Sequence, residues 1–380
     1  MLTGKQRILN AYRGVANDRV AIAPEFWLYY PAKLLGVDMI TFLREVPFYQ
    51  ALATTFRHFD CEGWGAAFAA PPHAEVTHST RDTWVDDETL EACWTMRTPL
   101  GDLTGAQRYT RAEPAWTVER PIKDPARDLP AWERWQLGAD LEAFDPADVT
   151  RAWTEVGEGY LLELWLGLPF FDWYAEARNG GFLTALDEIM DPGLEATFVG
   201  LRARYTEFLL RWVAVLCAKT PFESFAIGCS YSNNSLLGPT LWRRWDKPVI
   251  AAVAAELHRH GRLLHIHFHG RSRDTVADFA EIGVDCVCPF ERPPGGDITD
   301  LREVRRLLAE RVTINGNIHT VDTLIRGTVN DVCHEVEEIF TQWGPAPHRL
   351  ILGTGDQVGR ETPEENLHAM IETGKRLGRE

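Results

Sequence analysis

The chain predicts an α/β fold: a (β/α)8 TIM barrel carrying an N-terminal helical and β-hairpin excursion. Three observations predict it. Five strand–helix units follow one another through the second half, with strands beginning near positions 222, 262, 284, 312 and 349, and repeated βα units call for a parallel sheet. Reactive residue types fall at the ends of those strands: Cys229 and Ser230, His267 and His269, Cys288 and Glu291, Asn317 and His319, Thr354 and Asp356. A closed barrel gathers its strand C-termini around one mouth, where catalytic groups sit, whereas an open sheet spreads them along a line. The third observation is bulk. A chain of 380 residues with 45% hydrophobic and 25% charged side chains has ordinary globular composition and can build one large barrel. The expected domain is therefore 1–380, with 71–140 as a hairpin and connector excursion within it.

The elements follow in order. Residues 5–12 predict a short helix, and 19–23 the first barrel strand, ending in Pro24, Glu25, Phe26 and Trp27. Residues 84–110 alternate and contain the turn signal Thr98-Pro99-Leu100-Gly101, which predicts a β-hairpin. The Pro- and Asp-rich stretch 124–130 reads as a connector. Leu201, Tyr205, Phe208, Leu209, Trp212, Val213 and Leu216 keep helical spacing over four turns. Strands are then expected at 222–228, 262–270, 284–290, 312–318 and 349–355. Helices are expected at 239–260, with Gly261 as its C-cap, and at 274–282, 301–311 and 322–340. A last helix begins after Pro363.

Charge narrows the function. Thirty-nine Lys and Arg against 55 Asp and Glu leave a net charge of −16, and the pI is about 5.3. That balance gives no footprint for nucleic-acid phosphates and none for an anionic membrane surface. The start, MLTGKQRILN, has no apolar secretory core, and the most apolar stretch, 160–171, is interrupted by Glu163 and Pro169. Seven irregularly spaced cysteines read as reduced thiols, so a cytoplasmic protein is expected. Fourteen tryptophans, ten of them between Trp27 and Trp173, point either to an aromatic-lined pocket or to dense packing.

His265, His267 and His269 alternate with Leu264, Ile266 and Phe268. On a strand, this puts three imidazoles on one face and three apolar side chains on the other. In a barrel the imidazoles face inward, with His269 nearest the mouth. Side chains at i and i+2 project side by side, and imidazole suits zinc, iron, copper and nickel. Two histidines leave the site open, and a neighbouring strand end must supply a third ligand: Asp356, His319, Glu291 or Cys288. Other features read as structure. Cys286 and Cys288 suit small buried core residues. Glu335, Glu337 and Glu338 suit a solvated helix face. The spacing Gly353, Gly355, Gly359 is one residue too long for a dinucleotide loop and suits a glycine-rich turn.

Several blocks together resemble the uroporphyrinogen decarboxylase-like superfamily, in its corrinoid-linked methyltransferase branch. They are Lys5-Gln-Arg-Ile-Leu-Asn-Ala-Tyr-Arg-Gly with Asp18-Arg19-Val20, Thr98-Pro-Leu-Gly with Pro121-Ile-Lys-Asp, His267-Phe-His269-Gly270, Phe290-Glu-Arg-Pro-Pro-Gly-Gly-Asp297, Asn315-Gly-Asn317, and Gly355-Asp356 with Glu365-Asn366-Leu367. The resemblance covers nearly the whole chain and implies a (β/α)8 barrel. The decarboxylases carry an arginine-rich segment near the first strand that grips substrate carboxylates; here Pro24 to Tyr30 contains no arginine. In the methyltransferase branch, zinc is held by a His-x-Cys pair and a later Cys. At the matching positions this chain has His267, His269 and Asp356. That set contributes a formal −1 instead of −2 and leaves the metal more Lewis-acidic, suited to polarising an oxygen or nitrogen.

The resemblance thus implies a zinc-dependent methyltransferase, a demethylase that moves a methyl group between a small methylated donor and a corrinoid (cobalamin-type) protein. His319 and Glu291 are the expected catalytic or orienting groups. Glu25, Trp27, Tyr30 and Asn317 are the expected substrate-binding residues, with Phe26 and Tyr29 adding to an apolar wall. The alternative is a decarboxylase or lyase acting on a small acid or tetrapyrrole without corrinoid; a barrel that only binds a corrinoid or tetrapyrrole is the third reading. The sequence leaves open whether the chain forms a homodimer.

Overall fold

Strands buried on both faces read as nearly continuous apolar runs, and such runs supply most of the central sheet. The computed structural model describes residues 2–344 and 348–379. Its strands are β1 (Ala21–Ile22), β2 (Trp64–Phe68), β3 (Thr77–Trp84), β4 (Thr89–Thr98), β5 (Gly101–Thr110), β6 (Trp116–Glu119), β7 (Leu161–Gly167), β8 (Ser224–Cys229), β9 (Leu263–Phe268), β10 (Cys286–Pro289), β11 (Thr313–Ile318) and β12 (Leu350–Thr354). Eight form one parallel sheet in the order β1-β12-β11-β10-β9-β8-β7-β2, the order of a (β/α)8 barrel. β8, β11 and β12 are buried at every residue, because helices cover one face and the interior covers the other.

Among the described residues no backbone ladder joins β1 to β2, and side chains bridge that seam. The buried Glu62 carboxylate, just before β2, accepts from the Ile22 backbone N–H at 2.9 Å. It also accepts from Arg7 at 2.9 Å and from Arg19 at 2.5 and 2.9 Å. The helix Gly4–Arg13, capped by Thr3 and Gln6, supplies Arg7 and closes the barrel floor.

The excursion is a four-stranded antiparallel sheet, β3-β4-β5-β6, larger than a single hairpin. Thr98–Gly101 makes the β4–β5 turn, with the Thr98 hydroxyl donating to the Gly101 carbonyl at 2.9 Å. β3 is exposed throughout and polar, which suits an unpaired edge.

Three expectations change. The stretch 124–130 is no connector: it opens the helix Pro125–Leu137, with Asp124 as N-cap and Pro125 at the first position. The helix expected at 239–260 is two, Pro239–Trp245 and Lys247–Arg259. Pro248 breaks it, because it has no N–H to continue the ladder, and the buried Asp246 carboxylate at the joint accepts from the Phe171 N–H and the Ser232 hydroxyl. The helix expected at 322–340 starts late. A π-helical turn, Thr320–Ile325, precedes it, and Thr328 caps Val329–Trp343 in a reciprocal pair with Asp331.

Candidate metal centre at the barrel mouth

β9 lies in register with β10, so that His265 neighbours Cys286 and His267 neighbours Cys288. Neighbours in a parallel register share a face, and here that face is the barrel interior. Leu264, Ile266 and Phe268 pack outward, with Phe268 against Trp242 and Phe279. The inner side chains form two layers joined by one sulfur: Cys288 Sγ lies 3.0 Å from His265 Nε2 and 3.0 Å from His267 Nδ1.

The lower layer is fully buried. His265 Nδ1 is 2.8 Å from Glu163 Oε2 and 3.2 Å from the Tyr12 hydroxyl. The Ser224 hydroxyl donates to the other Glu163 oxygen at 2.6 Å. Each polar group there has a partner, as a buried network requires.

The upper layer faces the mouth. His267 Nε2 is 2.6 Å from His269 Nε2 and 3.9 Å from Glu25 Oε1. Glu291 fixes the other side of His269: its Oε1 lies 2.9 Å from His269 Nδ1 and accepts from the Gly270 N–H at 2.7 Å. Trp64 stands edge-on to His265, with ring centroids 4.7 Å apart, and leans toward His267 at 6.1 Å. Trp27 packs against Trp64, Trp165 and Phe48, forming an aromatic wall beside the imidazoles.

Burial and mutual charge shape the electrostatics. Burial, followed by the Asp356 charge, pushes the Glu25 carboxyl up to about 8. Burial, with the two flanking imidazoles, holds His267 well below its ordinary value, keeping it neutral and able to donate a lone pair. His269 differs. Burial is its largest influence and opposes charge, yet Glu291, Asp356 and Glu25 together raise it to about 9. Asp356 is raised, chiefly by burial.

Glu25, His267 and Cys288 each offer a ligand atom, and the three atoms lie within 4.8 Å of one another. Carboxylate, imidazole and thiol are the donor types zinc takes, and that spacing suits one ion. The trio expected from sequence is close by in part. His267 and His269 touch, and Asp356 acts on His269 and Glu25 through its charge while its own Oδ1 accepts from the Gln357 N–H at 2.6 Å.

Of the other expected residues, Asn317, Tyr30 and His319 stand outside the His267 cluster. Asn317 is buried; its Nδ2 donates to the Phe290 carbonyl at 2.9 Å, and its Oδ1 has no partner among the described residues. Tyr30 does not join the cluster, since it packs among Phe26 and Phe59 beneath Lys33. His319 has both ring nitrogens occupied by backbone: Nδ1 accepts from the Asp322 N–H at 2.9 Å, and Nε2 is 3.1 Å from the Pro293 carbonyl. Glu335, expected in solvent, is buried; it accepts from the His319 N–H and pairs with Arg292. A cavity of about 680 Å3 opens beside the cluster, lined by Tyr29, Glu291, Arg292, His319, Arg326, Asp356 and Gln357, so that His319 shares it with Glu291 and Asp356.

Sequence reasoning left Cys288 as one open option and missed Glu163 and Tyr12. The signal for Cys288 was present: Cys286 and Cys288 repeat the period of two shown by the histidines, one strand later.

Residues 216–377 match the family model described as uroporphyrinogen decarboxylase (URO-D), which bears out the superfamily resemblance over that part of the chain. A solved structure described as a methyltransferase from Methanosarcina mazei is 15% identical and covers 99% of both chains with a TM-score of 0.67. At that identity it shows a shared fold. A family 2 AP endonuclease from Brucella melitensis is 14% identical and covers 58% of this chain and 81% of its own, with a TM-score of 0.33, too slight a likeness to use. No curated protein matches the chain.

Proposed function

We propose that this uroporphyrinogen decarboxylase-like barrel is a metal-dependent methyltransferase that moves a methyl group between a small methylated donor, a methyl ether or methylated amine, and the cobalt of a corrinoid partner protein. The observation that carries the reading is the cluster of donor side chains around His267 at the barrel mouth. Two donor groups meet there: His269 with Asp356, the set matching the family motif, and Glu25 with Cys288. A divalent metal, zinc by donor chemistry, would be held at His267 and would supply Lewis acidity to the leaving oxygen or nitrogen.

The chain's own residues do the rest. Glu291 holds His269 at a fixed angle toward the mouth. Trp27, Trp64 and Trp165 give an apolar wall that keeps water from a bound methyl group. Asn317 Oδ1 is a buried acceptor without a partner among the described residues, a place where a ligand N–H or O–H would satisfy it.

Carboxylate-rich tetrapyrroles fit poorly. The two arginines lining the cavity are already paired, Arg292 with Glu335 and Glu338 and Arg326 with Asp322. Decarboxylation of a small acid without corrinoid remains the second reading, favoured only by the family model's name. The two separate by product. Methyl transfer leaves a methylated cobalt and is lost in His267→Ala, whereas a decarboxylase releases CO2 with no cobalt present.

A further inference from the structure

The proposed function leaves the seat of the metal open between the two donor groups, and the geometry separates them. Among the described residues, Glu25, His267 and Cys288 are the trio of donor side chains whose ligand atoms all lie within 4.8 Å of one another, and His267, His269 and Asp356 form no such trio. His267 Nε2 and His269 Nε2 are 2.6 Å apart, a hydrogen-bonding distance. His269 is fixed from behind by Glu291, and Asp356 is turned onto its own loop N–H. His267 and His269 thus satisfy each other, while Asp356 makes its hydrogen bond to its own loop. On the inner side, Cys288 is buried at 2% exposure, yet its environment is not that of an inert core thiol, because two imidazole nitrogens face the sulfur at 3.0 Å. Register sets Cys288 beside His267. Glu25 arrives from the opposite wall, since β1 and β9 are four strands apart in either direction round the sheet. Its carboxylate reaches to 3.9 Å from His267 Nε2.

We infer that the metal sits in the inner seat, with Glu25, His267 and Cys288 as its protein ligands, so that sulfur ligation comes from the strand next to the His-x-His strand. His265, held by Glu163 and Tyr12, is a positioning residue that steadies the Cys288 sulfur. His269, held by Glu291, stays off the metal and faces the substrate. This inference rests on the metal reading above and adds to it the identity of the donors.

The test uses cobalt(II) as the probe, titrated into the full-length protein after chelator treatment and followed by absorption. Cobalt(II) ligated by a thiolate shows a ligand-to-metal charge-transfer band, and one ligated by nitrogen and oxygen alone does not. The wild type is expected to bind one cobalt(II) per chain with that band. Cys288→Ser is expected to lose the band and bind cobalt(II) about 10-fold more weakly or worse, since even residues that only orient a ligand change affinity on that scale. His269→Ala and Asp356→Asn are expected to keep it. Stoichiometric cobalt(II) without the band in the wild type, which needs no variant to fold, overturns the inference and leaves the metal reading standing. So does a band that survives Cys288→Ser or disappears in His269→Ala. Failure of the wild type to bind cobalt(II) overturns both.

Discussion

At the residue scale the site turns on His267, whose two nitrogens face different neighbours. Replacing it removes the side chain common to both donor groups. His267→Ala is expected to retain less than ~0.2 metal per chain after purification without chelator, against near one for the wild type, measured by elemental analysis. Retention of full metal would contradict the site. Glu291 acts at one remove, through His269 and the Gly270 N–H. Glu291→Gln is expected to lower kcat for methyl transfer about 10- to 100-fold, while His267-dependent metal content stays unchanged. Parallel loss of metal would show that Glu291 holds the ion itself.

At the element scale, two buried carboxylates hold the frame. Glu62 closes the β1–β2 seam by accepting from Arg7, Arg19 and the Ile22 N–H. Glu62→Ala takes the carboxylate partner from Arg19 and the Ile22 N–H while Arg7 keeps Asp18, and is expected to cost about 1–3 kcal/mol in chemical denaturation. Asp128 organises the start of the helix Pro125–Leu137, accepting from the Lys123 and Asp124 N–H groups and from Arg127. Burial, the largest influence, would raise its carboxyl, but Arg127 and the two N–H groups overcome it and hold it at about 2. A carboxyl lower in the folded than in the unfolded chain adds stability above the ordinary carboxylate range, lost as pH falls through the folded value. The stability gap between the wild type and Asp128→Asn is therefore expected to shrink between about pH 4 and pH 2. A gap constant over that window would assign Asp128 a neutral packing role.

At the same scale, legibility from sequence follows periodicity. Strands β8 to β12 could be read because each is a short apolar run closed by reactive residues. The break before Pro248 was legible from its missing N–H, whereas the partners of Asp246, Phe171 among them, are distant in sequence, and the late start at Thr328 rests on a local reciprocal pair with Asp331. The His-x-His face was legible from the period of two alone. Glu25 as a neighbour of His267 was not, because the two lie on opposite walls and 242 positions apart in sequence, and only barrel closure brings them to 3.9 Å. Tyr30 misled for the opposite reason: proximity to the first strand end was read as lining the pocket, whereas the helix Tyr29–Leu35 turns its ring onto Phe26 and Phe59.

At the scale of the whole molecule, the donors at the mouth belong to opposite walls of one barrel. A ligand that joins them stabilises the fold with the logarithm of its concentration over Kd, by about 2.7 kcal/mol at 100 times Kd. The melting temperature is expected to rise with zinc in the wild type and to stay flat in His267→Ala. No described helix is long and apolar enough to cross a membrane. Tryptophans that sequence could assign only to pocket or packing divide between both: Trp132 and Trp173 pack with ring centroids 3.9 Å apart, while Trp27 and Trp64 stand beside the imidazoles.

The most direct test of the central claim is a single-turnover assay with zinc-loaded protein, cob(I)alamin and a methyl donor, methoxybenzene or trimethylamine, followed by cobalamin absorption. The account predicts conversion to methylcob(III)alamin with at least one of these donors, abolished in His267→Ala. Unchanged cob(I)alamin with both donors, alongside metal-independent release of CO2 from a small carboxylic acid, would contradict it.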